Sequence, residues 1–231
     1  VLAAVGYPAN RPVIVRIFQK FVDSHGPRQI SPREFFDWNA PDCERTTHQV
    51  DQRPIIWEIH NEPNLVEEGM GTSWTTGGKF AIWFNEVAGL IRGARWFRRD
   101  HDQIMFPGLS PGGDHPGVRY DSDRFHAEAT TKINNRLVDA LGVHLYWSNQ
   151  YPMTRAISDG IHQADFWPGL PVWVTEFSNN KPGTSSAQKG REYIQAQGLM
   201  ARLPRFQGGA IFVMSASNPA FGWGEGGSCE T

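Results

Sequence analysis

Long apolar runs are missing from this sequence of 231 residues, and none approaches the about 20 consecutive apolar residues that cross a bilayer. Cysteine is scarce, with Cys43 and Cys229 far apart. They form no metal-ligand spacing, and one disulfide or two free thiols are equally open. Charge of one sign is lacking too, with 22 basic residues against 24 acidic. The balance leaves no basic stripe for nucleic acid and no acidic run of the kind that forms a solvated tail. Several catalytic signatures are absent. The histidines are not spaced as HExxH, there is no GxSxG elbow, no phosphate-binding Walker loop, and no glycine-rich dinucleotide loop after the first apolar run. No signal peptide is visible and the chain starts at Val1, so the compartment stays open.

Aromatic residues are abundant instead, with 9 Trp, 14 Phe and 5 Tyr. Most such rings fill cores, but sugar-binding clefts also use them, because the C–H face of a pyranose packs on an aromatic face. With 39% hydrophobic residues the chain can bury one sizeable core, and residues 1–231 read as a single domain.

Short apolar runs alternate with longer amphipathic ones. Six runs read as strands: Val13 to Phe18, Ile55 to His60, Ile104 to Leu109, Leu141 to Trp147, Val172 to Phe177 and Ala210 to Ser215. They are near-continuous and rich in Val and Ile, as strands covered on both faces are. Between them lie helical patterns. Ser31-Pro32-Arg33-Glu34 predicts a helix start with Ser31 as N-cap, Pro32 at the first position and Glu34 completing a capping box. Lys79 to Phe97 carries Phe80, Phe84, Val87 and Ile91 at helical spacing; further helices are expected from Asp123 to Ala140 and from Ser186 to Leu203. The segment from Tyr146 to Val172 looks shorter and less regular. Strand and helix repeated in this way imply parallel pairing through right-handed crossovers. The fold class is therefore α/β, and a (β/α)8 TIM-type barrel is favoured over an open doubly wound sheet. Such barrels take about 250 residues, with about 200 near the lower limit. Six strands rather than eight make this one incomplete, corresponding to strands three to eight. A homodimer or a missing barrel segment is the expected remedy for the open edges, which would otherwise be sticky.

In parallel βα architectures the carboxyl ends of the strands line the site. Those ends carry His60-Asn61-Glu62-Pro63-Asn64 on the second strand, His144 and Tyr146 on the fourth, and Glu176 on the fifth. Cleavage of a glycosidic bond needs two carboxyl groups, one to protonate the leaving oxygen and one to attack the anomeric carbon. The runs IIWEIHNEPN (Ile55 to Asn64) and VWVTEFS (Val172 to Ser178) resemble the acid/base and nucleophile strands of glycoside hydrolase clan A, the retaining barrel glycosidases. The two glutamates stand 114 positions apart with two strand units between them, as that pattern requires.

The resemblance implies that Glu62 is the acid/base, Glu176 the nucleophile, and Tyr146 a hydroxyl bonded to Glu176. It implies that Asn61 holds the sugar 2-hydroxyl, and that the partner is a β-linked glycan or glycoside with no cofactor and no metal. Carboxyl groups of a retaining pair stand about 5–5.5 Å apart. His144, Trp147 and Trp223 are further candidate sugar contacts, with Trp74 another possible platform. A catalytically silent carbohydrate-binding barrel and an inverting hydrolase are the alternatives.

Strand parity adds an expectation beyond the motif. Glu58, His60 and Glu62 share one parity, so Glu58 should point inward below Glu62. Arg16 interrupts the apolar run of the neighbouring strand, and a lone charge in a dry interior is costly. Arg16 is expected to meet Glu58 or to reach a catalytic glutamate; on the outer face it would snorkel past a helix instead. His60 is divided between the interior and the site. The loop from Leu65 to Gly78 is either a cleft wall or a solvated connector, and Asp100-His101-Asp102 reads as a solvated turn.

Overall fold

Ile55, Ile56, Trp57, Glu58 and Ile59 are all buried, which demands cover on both faces of the strand they form. The computed structural model describes residues 11–50, 52–181, 183–202 and 205–211. They build an α/β fold whose main sheet has six parallel strands, and two compact units divide within one of those strands, between Leu141 and Gly142.

In the first unit β1 (Val13–Ile17) pairs with β4 (Ile55–Ile59), and β4 with β5 (Gln103–Phe106). β5 in turn pairs with the first residues of β6 (Ala140–Trp147). A short antiparallel hairpin, β2 (Val22–Asp23) with β3 (Gly26–Pro27), follows β1 and was not expected from the sequence. Its turn uses Asp23, whose carboxylate accepts the His25 N–H at 2.7 Å, and Gly26 at φ +107°.

Helix α1 (Pro32–Gln49) starts where the Ser31 signal places it, with the Ser31 hydroxyl accepting the Glu34 N–H at 3.2 Å. The expected box is only half made, because the Glu34 carboxylate is engaged by Arg28 at 3.0 Å. Helix α2 (Gly77–Gly93) buries Phe80, Phe84, Val87 and Ile91 as its spacing demands. Gly77 opens it against α3 (Ser122–Thr130), where a Cβ would stand 2.0 Å from the Phe125 carbonyl oxygen.

Two helix expectations are corrected. The segment from Asp123 to Ala140 is helical only to Thr130. Beyond it, Asn85 accepts from Asn134 N–H and donates to the Lys132 carbonyl, and the Asn134 side chain takes the Arg136 N–H. Such side-chain bonds to backbone compete with the helical ladder. Conversely, the irregular stretch after Tyr146 contains α4 (Met153–Asp165). Its buried face is built of Ala156, Ile157, Gly160, Gln163 and Ala164, among which Ile157 is the one large apolar side chain. Gly160 packs closely there: a Cβ would come 2.5 Å from a terminal methyl of Leu145 on β6, which would have to shift to admit it.

In the second unit the rest of β6 neighbours β7 (Val172–Asn179), and β7 neighbours β8 (Phe206–Ile211), with α5 (Ser186–Met200) between them in sequence. β8 starts four residues before the expected Ala210 because Gly208 and Gly209 belong to it. A Cβ at Gly208 would lie 2.8 Å from the Trp173 ring and one at Gly209 3.2 Å from Phe177. The expected strand end, Phe212 to Ser215, lies outside the described residues. Cys43 is buried in α1, where burial pushes its thiol up to about 12; Cys229 lies outside the described residues.

Candidate active site

The exit from β4 is strained. His60 sits at φ +77° and Glu62 at φ +35°, left-handed conformations that side chains rarely adopt. Strain of this kind costs on the order of 1–3 kcal/mol per residue and persists where the surroundings over-determine it. The surroundings here do so. The Glu62 N–H donates to the Gly108 carbonyl at 3.1 Å, and its carbonyl accepts from Leu65 at 2.9 Å. The indole of Trp74 donates to Pro63 at 2.7 Å. Asn64, fully buried, donates to Ser110 at 2.8 Å and Tyr120 at 3.0 Å while accepting from the Ser110 N–H at 2.9 Å. The Asn-Glu-Pro-Asn turn is thus pinned to the chain after β5, holding Glu62 half-buried at the strand's end.

Below it, Arg16 and Glu58 sit opposite each other in register, and the Arg16 Nε donates to Glu58 at 2.8 Å. The Glu58 side chain is 1% exposed and also accepts the Gly108 N–H at 3.3 Å. The expected pairing is present.

His60 departs from parity. The positive φ turns it away from Glu58 and into an aromatic cluster. Its ring stacks on Phe18 at 5.6 Å and meets Phe21, Trp74 and Trp83. Burial, only partly opposed by its bond to the Glu68 carbonyl at 2.7 Å, lowers its pKa to about 4. His60 is a neutral core histidine. Trp74, 2% exposed, belongs to the same cluster rather than to an open sugar platform. The loop carrying it is packed rather than a solvated connector: Gly69 lies so close to Phe21 and Trp74 that a Cβ would meet them at 2.8 and 2.9 Å.

Glu68 was missed in the sequence, where Glu67-Glu68 looks like a solvated pair. It ends a 3-10 turn (Val66–Glu68). Burial pushes its carboxyl up to about 7 against a hydrogen bond from Asn61, with Glu67 and Glu62 adding to the rise and Arg16 opposing it.

In the second unit β6 and β7 aim His144, Tyr146 and Glu176 at one another. The Tyr146 hydroxyl donates to Glu176 Oε2, and His144 Nδ1 lies 3.6 Å from the same oxygen. His144 and Glu176 are buried, while Tyr146 is half-buried. Trp147 points the other way. It is 4% exposed, stacks on Phe177 at 6.3 Å and donates its indole N–H to Glu192 at 2.8 Å. As a sugar contact it would have almost no open ring to offer. Trp223 lies outside the described residues.

Glu192 on α5 collects three donors, from Trp147, from Asn179 at 2.6 Å and from Gln188 at 2.9 Å. Burial raises its pKa, but these bonds and Arg191 outweigh burial and hold it below the ordinary 4.5. A depressed carboxyl stabilises the fold above its unfolded pKa and loses that contribution as pH falls through the folded value. Glu192→Leu is expected to cost about 1–3 kcal/mol at pH 7 by leaving the Trp147 and Asn179 donors unpaired. Urea melts from pH 7 to pH 3 should then show a shallower acid loss in the variant than in the parent; parallel losses would remove Glu192 from the account.

Asp100 and His101 are exposed as a turn should be, but Asp102 is not. Its carboxylate accepts from the Arg98 guanidinium at 2.7 Å and from the Ile55 N–H at 3.2 Å, fixing the start of β4.

Residues 95–215, just over half the chain, match the family described as glycosyl hydrolase catalytic core. The chain belongs to that family. No curated protein matches the sequence of this glycosyl hydrolase core. Among solved structures it is similar to a GH128 subgroup II endo-β-1,3-glucanase from Sorangium cellulosum, at 16% identity and a TM-score of 0.57, covering 98% of this chain and 89% of that one. A fungal β-1,4-galactanase gives 15% identity and a TM-score of 0.64, over 87% of this chain and 64% of that one. A GH128 subgroup VII oligosaccharide-binding protein from Trichoderma gamsii gives 12% and 0.51, over 86% and 67%. At these identities the likeness is one of fold: the glycosyl hydrolase core shares the parallel α/β architecture of barrel glycosidases, with six strands in its main sheet among the described residues.

Proposed function

We propose that this glycosyl hydrolase core is a retaining enzyme that cleaves β-linked glycans by double displacement, with Glu176 as nucleophile and Glu62 as acid/base. The observation that carries the reading is the hydroxyl of Tyr146 donated to Glu176, with His144 against the same oxygen. Those contacts fix one carboxylate oxygen and orient the group as a nucleophile must be oriented. Glu62, held by backbone bonds on a strained turn, supplies the proton to the leaving oxygen and then takes one from water. Microscopic reversibility gives one residue both roles. Asn61 holds the 2-hydroxyl beside it. The chemistry uses carboxyl groups alone and needs no cofactor.

The substrate class follows from the relatives in fold, a β-1,3-glucanase and a β-1,4-galactanase. A neutral β-linked hexan is the proposed substrate, with β-1,3-glucan tested first. A 2-deoxy-2-fluoro β-glucosyl or laminaribiosyl fluoride should trap a covalent ester, located by peptide mass spectrometry on Glu176. Turnover with inversion of the anomeric centre and no adduct would replace this mechanism by a single displacement. The Trichoderma gamsii protein, an oligosaccharide binder of the same fold, favours a second reading in which the chain binds glycans without cleaving them. Tight binding of laminari-oligosaccharides with no new reducing ends would select it.

A further inference from the structure

Glu58 gives each of its carboxylate oxygens to a different strand's chain. Oε2 takes the Arg16 Nε–H from β1 at 2.8 Å, and Oε1 takes the Gly108 N–H at 3.3 Å. Gly108 is buried two residues past Phe106, where β5 ends, and its own carbonyl accepts the Glu62 N–H at 3.1 Å. The bonds on either side of Gly108 therefore form one path, from Arg16 through Glu58 and Gly108 to the backbone of Glu62. Both groups that face Glu58 are donors. A carboxylate satisfies both, whereas an amide would turn its own N–H group on one of them.

We propose that Glu58 is a positioning residue for Glu62: by holding the Gly108 N–H it fixes the carbonyl that seats the Glu62 backbone, and so the direction in which Glu62 presents its carboxyl group. Glu62 stands at φ +35°, and such a conformation persists only where its surroundings hold it. Asn64 anchors the same stretch at Ser110, so Glu58 holds the near end of the seat and Asn64 the far end. An apolar pair could join β1 to β4 as firmly as a buried ion pair does. It would leave the buried Gly108 N–H without an acceptor. The catalytic half of the proposal rests on the reading of Glu62 under Proposed function; the backbone path does not.

The double variant Arg16→Met with Glu58→Met separates the two halves, because it removes the acceptor without stranding a charge. On a soluble β-1,3-glucan its kcat/KM should fall by about 10- to 100-fold, the scale of a slightly misplaced group. On a 2,4-dinitrophenyl β-glucoside, whose phenol leaves without a general acid, the fall should stay within about threefold. Equal losses on both substrates would mean a general disturbance of the fold and would overturn the proposal. Glu58→Gln, which keeps the side chain's volume, should show the same split and serves where the double variant does not fold. Without any activity assay, amide hydrogen exchange followed by NMR should show the Glu62 N–H exchanging at least about tenfold faster in either variant than in the parent. Unchanged exchange overturns the proposal whatever the enzyme hydrolyses. Faster exchange in a chain whose parent hydrolyses neither substrate would sink the proposed reaction while upholding the path from Glu58 to Glu62.

Discussion

Glu176→Ala is expected to leave no measurable hydrolysis of β-1,3-glucan, and Glu62→Ala to lose about 10²–10⁴-fold, the usual worth of a positioned general acid. The two losses should differ in kind. Without Glu176 no glycosyl-enzyme can form, whatever the leaving group. Without Glu62, an aryl glycoside whose phenol leaves unaided should still glycosylate Glu176, and turnover should stall at the second step. Sodium azide separates them by stereochemistry. In Glu62→Ala it replaces water on the covalent intermediate and yields the β-glycosyl azide. In Glu176→Ala it enters the vacated space and attacks the substrate directly, yielding the α-azide. Proton NMR of the products reads this directly, and the same anomer from both variants would reject the role assignment. Tyr146→Phe removes the hydroxyl donated to Glu176 but leaves His144 in place, so its loss should be smaller than that of Glu176→Ala.

The strands were legible because a doubly covered strand has no polar face to interrupt its apolar run. IIWEI and VWVTEF announce β4 and β7 almost to the residue. β8 was read late because its close approach to Trp173 and Phe177 is made by two glycines, which local pattern counts against a strand. The α3 region failed for the opposite reason. Its periodicity continues past Thr130, but asparagine side chains divert the backbone there. The site was legible wherever alternation holds. Tyr146 and His144 are two apart and both meet Glu176; Arg16 finds Glu58 by register. Alternation ends at the left-handed His60, which is why that ring lies among Phe18, Phe21 and Trp83. Glu68 could not be read, because its place depends on a carbonyl bond from that turned ring and on the wedge at Gly69. The pointer available in sequence was the glycine closing a short acidic turn directly after the motif.

Arg16→Met should be among the most destabilising single changes in the first unit. Glu58 is 1% exposed and Arg16 27%, so the arginine carries the pair's contact with water while the carboxylate has little of its own. Removing one partner of a buried pair strands the other charge, at about 3–5 kcal/mol. The partial exposure of Arg16 places the expected loss at the lower end, about 3 kcal/mol, or about 6–12 °C in Tm for a domain of this size. Methionine keeps most of the volume of the arginine stem, so a cavity is not the cause being tested. The decisive comparison is the double variant Arg16→Met with Glu58→Met. An apolar pair in a sheet flanked by Ile17, Ile56 and Ile59 needs no compensating charge and should recover most of the lost stability. Urea denaturation of the parent, both single variants and the double variant closes the cycle, with a coupling expected above about 1 kcal/mol. Additive losses would mean that the two side chains stabilise the fold separately, and that the 2.8 Å bond between them contributes nothing to holding β1 on β4.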